Sequence, residues 1–199
     1  MKRTQTKRVY DPGRTRGRIL DVASNEFQHR GYHATSMHDI MHTADVPGGS
    51  VYHYFPTKKS LALAVIEERV AESLAETWIE PMRNAPSASQ GILSVFDAVA
   101  KSISDRAVLG CPVTNLALEL SLVDPSFQNA LRAAFDRWES AIADRLREEQ
   151  ASRKRHTVDP AALATVVVAI FSGAMSLAKS AQSAAPLRTC RREIVRLLP

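Results

Sequence analysis

Residues 36–55 read SMHDIMHTADVPGGSVYHYF, and the pattern of this stretch predicts two short helices separated by a tight turn. Ser36 and Asp39 stand at the spacing of a capping box, which predicts the start of the first helix. Asp45 follows at the turn, where Asp tolerates a left-handed backbone better than most residues. The apolar face of the first helix consists of Met37, Ile40, Met41 and Ala44. We therefore predict a helix-turn-helix, a motif that places its second helix in the major groove of DNA.

The second helix of this motif is predicted to begin at Pro47, because the fixed φ of proline suits a first helical position. Val51 and Phe55 are four residues apart and therefore face inward together. Gly48 and Gly49 each destabilise a helix by roughly 1 kcal/mol relative to Ala. Glycine is used where a backbone approaches another group closely. We predict that this helix start meets a DNA phosphate or base edge.

Polar and basic side chains surround the motif. Lys58 and Lys59 lie in the first turn of the next helix, where the helix dipole favours acidic residues rather than basic ones. Contacts with DNA phosphates would explain why basic residues occupy these positions. The basic residues before or within the first helix are Lys2, Arg3, Lys7, Arg8, Arg14, Arg16 and Arg18. This arm can enter the minor groove or neutralise phosphates, or it is a solubilising tail. The predicted DNA-binding residues are Arg16, Thr35, Ser36, His38, Pro47, Gly48, Gly49, Ser50, Tyr52, His53, Tyr54, Lys58 and Lys59.

The excess positive charge lies in the first third of the chain. Residues 1–60 contain ten Lys or Arg and five acids, whereas residues 61–199 contain sixteen of each sign. A clustered basic region indicates nucleic-acid binding. The alternative is a non-specific basic protein that binds anionic surfaces. The capping, turn and helix residues in register favour the DNA-reading hypothesis.

Composition and motifs exclude several other classes of protein. Hydrophobic residues make up 45% and charged residues 24% of the 199 residues, as in a globular protein. Two cysteines, Cys111 and Cys190, cannot form a disulfide framework, and no signal peptide is recognisable, so we expect a cytoplasmic protein. No P-loop, hydrolase or dinucleotide motif occurs, so no enzyme and no cofactor is expected. His38 and His42 have metal-ligand spacing without a third ligand, and no metal is expected.

Helix caps and helical spacing recur along the chain without any hairpin signal, which predicts an all-α fold of about nine helices. The predicted helices cover residues 15–30, 36–44, 47–54, 57–83, 89–107, 112–122, 125–154, 160–184 and 187–198.

Residues 160–178 carry no charge and are just long enough to cross a bilayer. They lack flanking Trp or Tyr, so a buried helix between subunits is the favoured interpretation, and no membrane is expected. Val167 and Phe171 are predicted to contribute to that interface, so that Asp at either position should yield monomers or aggregates. The apolar residues behind this segment are Leu187, Ile194, Val195, Leu197 and Leu198. In a single subunit, these segments would leave a large apolar surface exposed to water. We therefore predict a homodimer that forms through the last two helices.

Residues 14–62 resemble the DNA-binding region of the TetR family of bacterial transcriptional regulators. The matching residues are Ile19, Ala23, Phe27, Gly31, Thr35, Ile40, Ala44, Val46, Ser50, Tyr52, Phe55 and Lys58. The resemblance implies a three-helix DNA-binding domain in residues 1–60 and a helical ligand-binding and dimerisation domain in residues 61–199. It also implies a homodimer on a palindromic double-stranded operator and a small-molecule inducer. Asp45 replaces the usual turn glycine, and Gly48 with Gly49 leaves few base-reading side chains.

The C-terminal half is less informative. A stripe of apolar residues at helical spacing along residues 127–142 is either core or pocket lining. The predicted pocket residues are Trp78, Phe96, Phe135, Trp138, Phe171 and Met175, which suit an apolar or aromatic inducer. Cys111 stands at a predicted helix start, where a thiolate would be stabilised. The sequence therefore predicts a ligand-responsive repressor; a thiol-based sensor using Cys111 is the alternative, and a merely structural cysteine is the third.

Overall fold

The computed structural model describes residues 12–103, 107–153 and 158–199. These residues form nine helices and no strand, which confirms the all-α prediction. Residues 2–11, which contain most of the predicted basic arm, lie outside the described part. The helices are α1 (Pro12–Arg30), α2 (Met37–Ala44), α3 (Gly48–Tyr54), α4 (residues 58–84), α5 (Ala88–Ser102), α6 (Pro112–Leu120), α7 (Pro125–Arg153), α8 (Pro160–Ala181) and α9 (Ala185–Ile194), the last followed by a 3₁₀ turn (Val195–Leu197).

Helix α4 differs from the regular helix predicted over residues 57–83. Its α-helical parts, Lys58–Ala64, Ala71–Leu74 and Glu80–Asn84, alternate with the π-helical stretches Val65–Val70 and Ala75–Ile79. Pro81 explains the second π-helical stretch, because proline has no N–H to donate to the carbonyl four residues earlier. Wider turns of this kind are frequent at functional sites.

Other helix ends also differ from the predictions. α5 ends at Ser102 rather than at residue 107. α8 ends at Ala181 rather than at residue 184, because Gln182 adopts a left-handed conformation (φ 47°) that stops the helix. α9 ends at Ile194, before the predicted end at residue 198. The predicted starts at Ser36, Thr57 and Asp159 are confirmed as N-caps.

A single hydrophobic cluster connects the N-terminal helices with the rest of the protein. α1 is buried through Ile19, Leu20 and Phe27, and it packs against α2, α3, α4 and α6. α4 packs in turn against α7, while α8 lies along α7 and α9. Because the packed core is continuous, a change among α4–α8 has a physical route to the helix-turn-helix.

Helix α8 is long and apolar enough, by length and composition, to cross a membrane, and 44% of its most apolar window is buried inside the protein. Val167 and Phe171 are 0% and 3% exposed within one chain, so the prediction that they form a subunit interface is wrong. Leu187 and Ile194 are likewise buried in the chain's own core. Apart from Lys179 near its end, the exposed face of α8 instead carries mostly small, uncharged residues: Ala162, Thr165, Val166, Ala169, Gly173, Ser176, Leu177 and Ser180.

Candidate DNA interface and interior cavity

The predicted helix-turn-helix is formed by α2, α3 and the turn between them. The Ser36 backbone N–H donates to Asp39 Oδ2 (2.9 Å), and Ser36 Oγ accepts from the Asp39 N–H (3.1 Å). Hydrogen bonds from Ser36 lower the pKa of Asp39, which keeps this capping box charged. Asp45 is left-handed (φ 49°), and its N–H donates to the His42 carbonyl (3.2 Å). Both predicted ends of α2 are confirmed.

Helix α3 is anchored on one side and exposed on the other. Val51 and Phe55 are buried, as their spacing predicts. Tyr52 is 49% exposed and His53 is exposed, so both side chains are available to a partner. Tyr54 is half-buried, with its ring centroid 5.1 Å from that of His53. The accessible side chains of α3 therefore belong mainly to Tyr52 and His53.

The remaining predicted residues of this region vary in accessibility. His38 and Pro47 are exposed and Ser50 is half-buried. A Cβ added at Gly48 would lie 3.0 Å from Met41 Sδ, so packing against α2 accounts for this glycine. A Cβ added at Gly49 would have no atom of the described residues within 4 Å. Of the two glycines, only Gly49 is left without a packing explanation among the described residues.

Two predicted DNA contacts are occupied inside the protein. Thr35 is 1% exposed, and its hydroxyl donates to the Gly31 carbonyl (2.8 Å), so its side chain stabilises the α1–α2 corner instead. Arg16 forms a bidentate ion pair with Glu68, with Nη1–Oε2 at 2.8 Å and Nη2–Oε1 at 2.5 Å. The pair raises the pKa of Arg16 and lowers that of Glu68. Arg16 also lies over the Phe55 ring, 5.3 Å from its centroid, and so joins α1 to α4 and to the end of α3.

Lys58 and Lys59 also have partners within the chain. Lys58 Nζ lies 4.1 Å from the Tyr32 ring centroid, and burial lowers the pKa of Lys58. Lys59 Nζ lies 2.7 Å from Asp124 Oδ2. This hydrogen bond, with one from the Ser126 N–H, lowers the pKa of Asp124 to about 2. A phosphate contact by Lys59 therefore requires exchange of one anionic partner for another.

Sequence reasoning missed the corner between α6 and α7, which contacts the helix-turn-helix domain. Besides Asp124, Glu119 Oε2 accepts from the His33 N–H (3.3 Å). The Tyr32 and Phe127 rings meet edge to face at 5.6 Å. In the sequence, the position of Asp124 is already explained by its role as the N-cap of α7, and no local pattern relates it to Lys59, 65 residues away.

A cavity of about 210 Å³ lies among α4, α5, α6, α7 and α8. Its apolar and aromatic lining consists of Val70, Leu74, Trp78, Val99, Pro112, Val113, Trp138, Phe171 and Met175. Its polar lining consists of Ser73, Thr77, Ser102 and Cys111. An apolar pocket with a few polar groups is the usual form of a small-molecule site.

Four of the six predicted pocket residues, Trp78, Trp138, Phe171 and Met175, line this cavity. Phe96 does not: it is fully buried in the core, edge-on to Trp78 and Phe171 with centroids at 6.3 and 5.3 Å. Phe135 is half-buried and stacks on Trp138 at 6.2 Å, and it does not line the cavity either. These two rings support the lining from behind.

Cys111 is the N-cap residue of α6, as predicted, and lines the same cavity. Burial nevertheless raises the pKa of its thiol, outweighing hydrogen bonds from Thr114 and Val113 that act in the opposite direction. The expectation of a stabilised thiolate is therefore wrong, because desolvation disfavours the charged form. Within the described ranges, no group of three or more His, Cys, Asp or Glu residues could hold a metal ion.

A larger and more polar cleft, of about 420 Å³, lies between α1, α4 and the start of α6. Arg69 crosses it, with its Nε 2.6 Å from Asp21 Oδ1. Arg69 also pairs with Glu72, whereas Glu76 adds a further carboxylate to the lining, so this cleft is charged and the aromatic cavity is the better candidate for an apolar ligand.

Comparison with known proteins agrees with this arrangement. The sequence pattern of the family "Bacterial regulatory proteins, tetR family" matches residues 19–65. That of "Transcriptional regulator LmrA/YxaF-like, C-terminal domain" matches residues 88–193. The HTH-type transcriptional regulator LmrA of Bacillus subtilis is 29% identical over 177 residues, covering 88% of this chain and 92% of LmrA.

Solved structures are similar over almost the whole chain. A TetR transcriptional regulator from Chloroflexus aurantiacus superposes with a TM-score of 0.80 at 29% identity, covering 92% of this chain and 93% of its own. The regulator CifR, crystallised as a cysteine mutant with a 26-base-pair double-strand operator DNA, has a TM-score of 0.78 at 22% identity. It covers 98% of this chain and 100% of its own, and it supports the fold.

Proposed function

The chain belongs to the TetR family of bacterial regulatory proteins and is a DNA-binding transcriptional regulator, and on this basis we propose that it is a ligand-responsive repressor. Residues 1–60 form the DNA-binding unit, and residues 61–199 form the ligand-binding and dimerisation unit. A small apolar or aromatic inducer releases the protein from a palindromic operator in the cytoplasm.

The exposed side of α3 carries the DNA-binding part of this proposal. Tyr52 and His53 offer hydrogen-bonding groups there, and Gly49 leaves open space for a close approach. Lys58, at the start of α4, adds a cation beside this surface. Base-edge contacts from α3 specify the sequence, while cationic contacts to phosphates position the protein.

Selection of genomic DNA fragments with the purified protein tests sequence-specific binding. We expect enrichment of one palindrome whose half-sites are about one helical turn, or a multiple of it, apart. Tyr52→Ala should weaken binding to that palindrome more than binding to random DNA. Lys58→Ala should weaken both and reduce the salt dependence, and His42→Ala, on the exposed side of α2, is the control. Equal binding to all fragments would instead favour the non-specific basic protein.

The homodimer is the second part of the proposal. The exposed face of α8 extends from Ala162 to Leu177 without a charged residue, a length of about 23 Å along the helix, and the exposed Lys179 follows near the helix end. Small residues such as Gly173 permit close approach of a second helix, and a standard interface buries roughly 800 Å² per partner. Val195 and Leu197 after α9 are also exposed apolar residues.

Induction is the third part. A ligand in the aromatic cavity contacts α4, which is joined to α1 by the Arg16–Glu68 pair. Release from DNA follows if the ligand favours a conformation in which the two recognition helices no longer match successive grooves. The effect on DNA affinity is then limited by the difference in ligand affinity between the two conformations. Cys111 lines the same cavity, so its covalent modification is the rival trigger.

A further inference from the structure

We propose that the aromatic cavity binds an uncharged, compact aromatic molecule that carries a hydrogen-bond acceptor, and that the indole N–H groups of Trp78 and Trp138 are the donors. This inference rests on the proposed inducer site and names the chemical class of its ligand.

Two unpartnered donors carry the inference. Trp78 and Trp138 are 1% and 0% exposed, and neither Nε1 has a hydrogen-bond partner in the described part of the chain. Their rings lie 5.2 Å apart, and both line the cavity. A buried Trp normally pairs its N–H, because a buried donor without an acceptor destabilises the protein. Aromatic faces nearby, such as that of Phe171, are only weak acceptors. Two unpartnered donors on neighbouring rings that line one cavity indicate an acceptor supplied from outside the chain.

The remaining lining defines the rest of the ligand. None of the lining residues in the described ranges is charged, so an ionised ligand would lose its hydration without gaining a counter-charge. The indoles, Phe171 and Met175 offer ring edges and a thioether, which suit an aromatic ring. The volume of about 210 Å³ is below the roughly 300–1,000 Å³ of sites for drug-sized molecules. A ligand of one or two rings therefore fits better than an extended one.

The two tryptophans are the only two in the chain, so a ¹⁵N–¹H spectrum contains two indole signals, one from each proposed donor. Acetophenone, ethylbenzene and benzoate are matched probes: a ring with a neutral acceptor, with no acceptor and with a charge. We expect acetophenone to move at least one indole proton downfield, the direction of a new hydrogen bond. Ethylbenzene should bind without that downfield shift, and benzoate should bind more weakly than acetophenone. Downfield shifts that are the same with ethylbenzene, or tighter binding of benzoate, would overturn the proposal.

Trp78→Phe and Trp138→Phe remove a donor and keep an aromatic ring. We expect at least one of them to weaken acetophenone binding about three- to tenfold, the loss of one hydrogen bond, and to leave ethylbenzene binding unchanged. Equal weakening of both probes would assign the tryptophans to packing alone and overturn the donor role. The wild-type spectra test the same point if neither variant folds.

The inducer role is tested separately, with the DNA enriched in the genomic selection. Acetophenone that shifts the indole signals without releasing this DNA would leave the ligand class standing and refute the inducer role. Acetophenone that releases the DNA with both indole signals unmoved would overturn the ligand site.

Discussion

Replacement of Gly49 by Ala separates the stability of the protein from its affinity for DNA. Gly49 lies in the first turn of α3, and a Cβ built there has no neighbour within 4 Å in the part of the chain that the structure describes. The free protein should therefore accept Gly49→Ala and gain about 0.5–1 kcal/mol in free energy of unfolding. For a chain of this size that gain corresponds to a Tm higher by roughly 1–4 °C.

Affinity for the selected palindrome should change in the opposite direction. If the α3 backbone approaches DNA at Gly49, the added methyl group enters a packed contact, which costs about 1–3 kcal/mol. Kd should then rise roughly 5- to 150-fold, as measured by fluorescence anisotropy with a labelled duplex. Thermal unfolding of the same preparation gives the stability.

Two other glycines provide controls. Gly17→Ala lies in α1, where the new Cβ would be in ordinary contact with Arg69 Nη2 at 3.6 Å, so it should stabilise the protein and leave Kd unchanged. Gly48→Ala should gain less stability, because Met41 Sδ lies 3.0 Å from the new Cβ and must move. A Gly49→Ala protein that is more stable and binds the palindrome like wild type would refute the idea that DNA approaches α3 at this residue.

Four further predictions concern charge, pH, assembly and the thiol. Asp124→Asn keeps a helix cap and releases Lys59 from its ion pair. Affinity for the operator should therefore rise and become more salt-dependent in anisotropy titrations. Unchanged affinity would show that the ion pair does not compete with phosphate. The pKa of Asp124 is about 2, below its ordinary value, so the Lys59–Asp124 ion pair is present at neutral pH and is lost only as the pH falls towards 2. Asp124 should therefore contribute no change in operator affinity between pH 6 and 8. Gly173→Arg on the exposed face of α8 should yield monomers in light scattering, whereas Ala133→Arg on an exposed part of α7 should not; a dimeric Gly173→Arg protein would place the interface elsewhere. Burial raises the pKa of the Cys111 thiol, so Cys111 should react with iodoacetamide at pH 7 more slowly than the half-buried Cys190. Peptide mass spectrometry measures the two rates, and faster reaction of Cys111 would favour the thiol sensor.

Local chemistry explains what could be predicted from the sequence. The Ser36–Asp39 capping box and the left-handed turn at Asp45 involve residues within four positions of each other, and both occur as predicted. The spacing of Val51 and Phe55 correctly identified the buried side of α3. These features depend on backbone geometry and short-range hydrogen bonds, which neighbouring residues determine by themselves. The helix-turn-helix and the resemblance to the family could therefore be predicted from one short stretch of sequence.

The tertiary structure decided which of those residues are free to act. Thr35 and Arg16 have the chemistry of DNA contacts, but packing buries the first and Glu68 pairs with the second. Likewise, composition predicted an apolar α8 without indicating that Val167 and Phe171 face the chain's own core. A side chain's accessibility, pKa and partner depend on groups distant in sequence, such as Asp124 for Lys59, and only folding brings those groups together. For the same reason the unpartnered indoles of Trp78 and Trp138 became visible only once the aromatic cavity had formed around them.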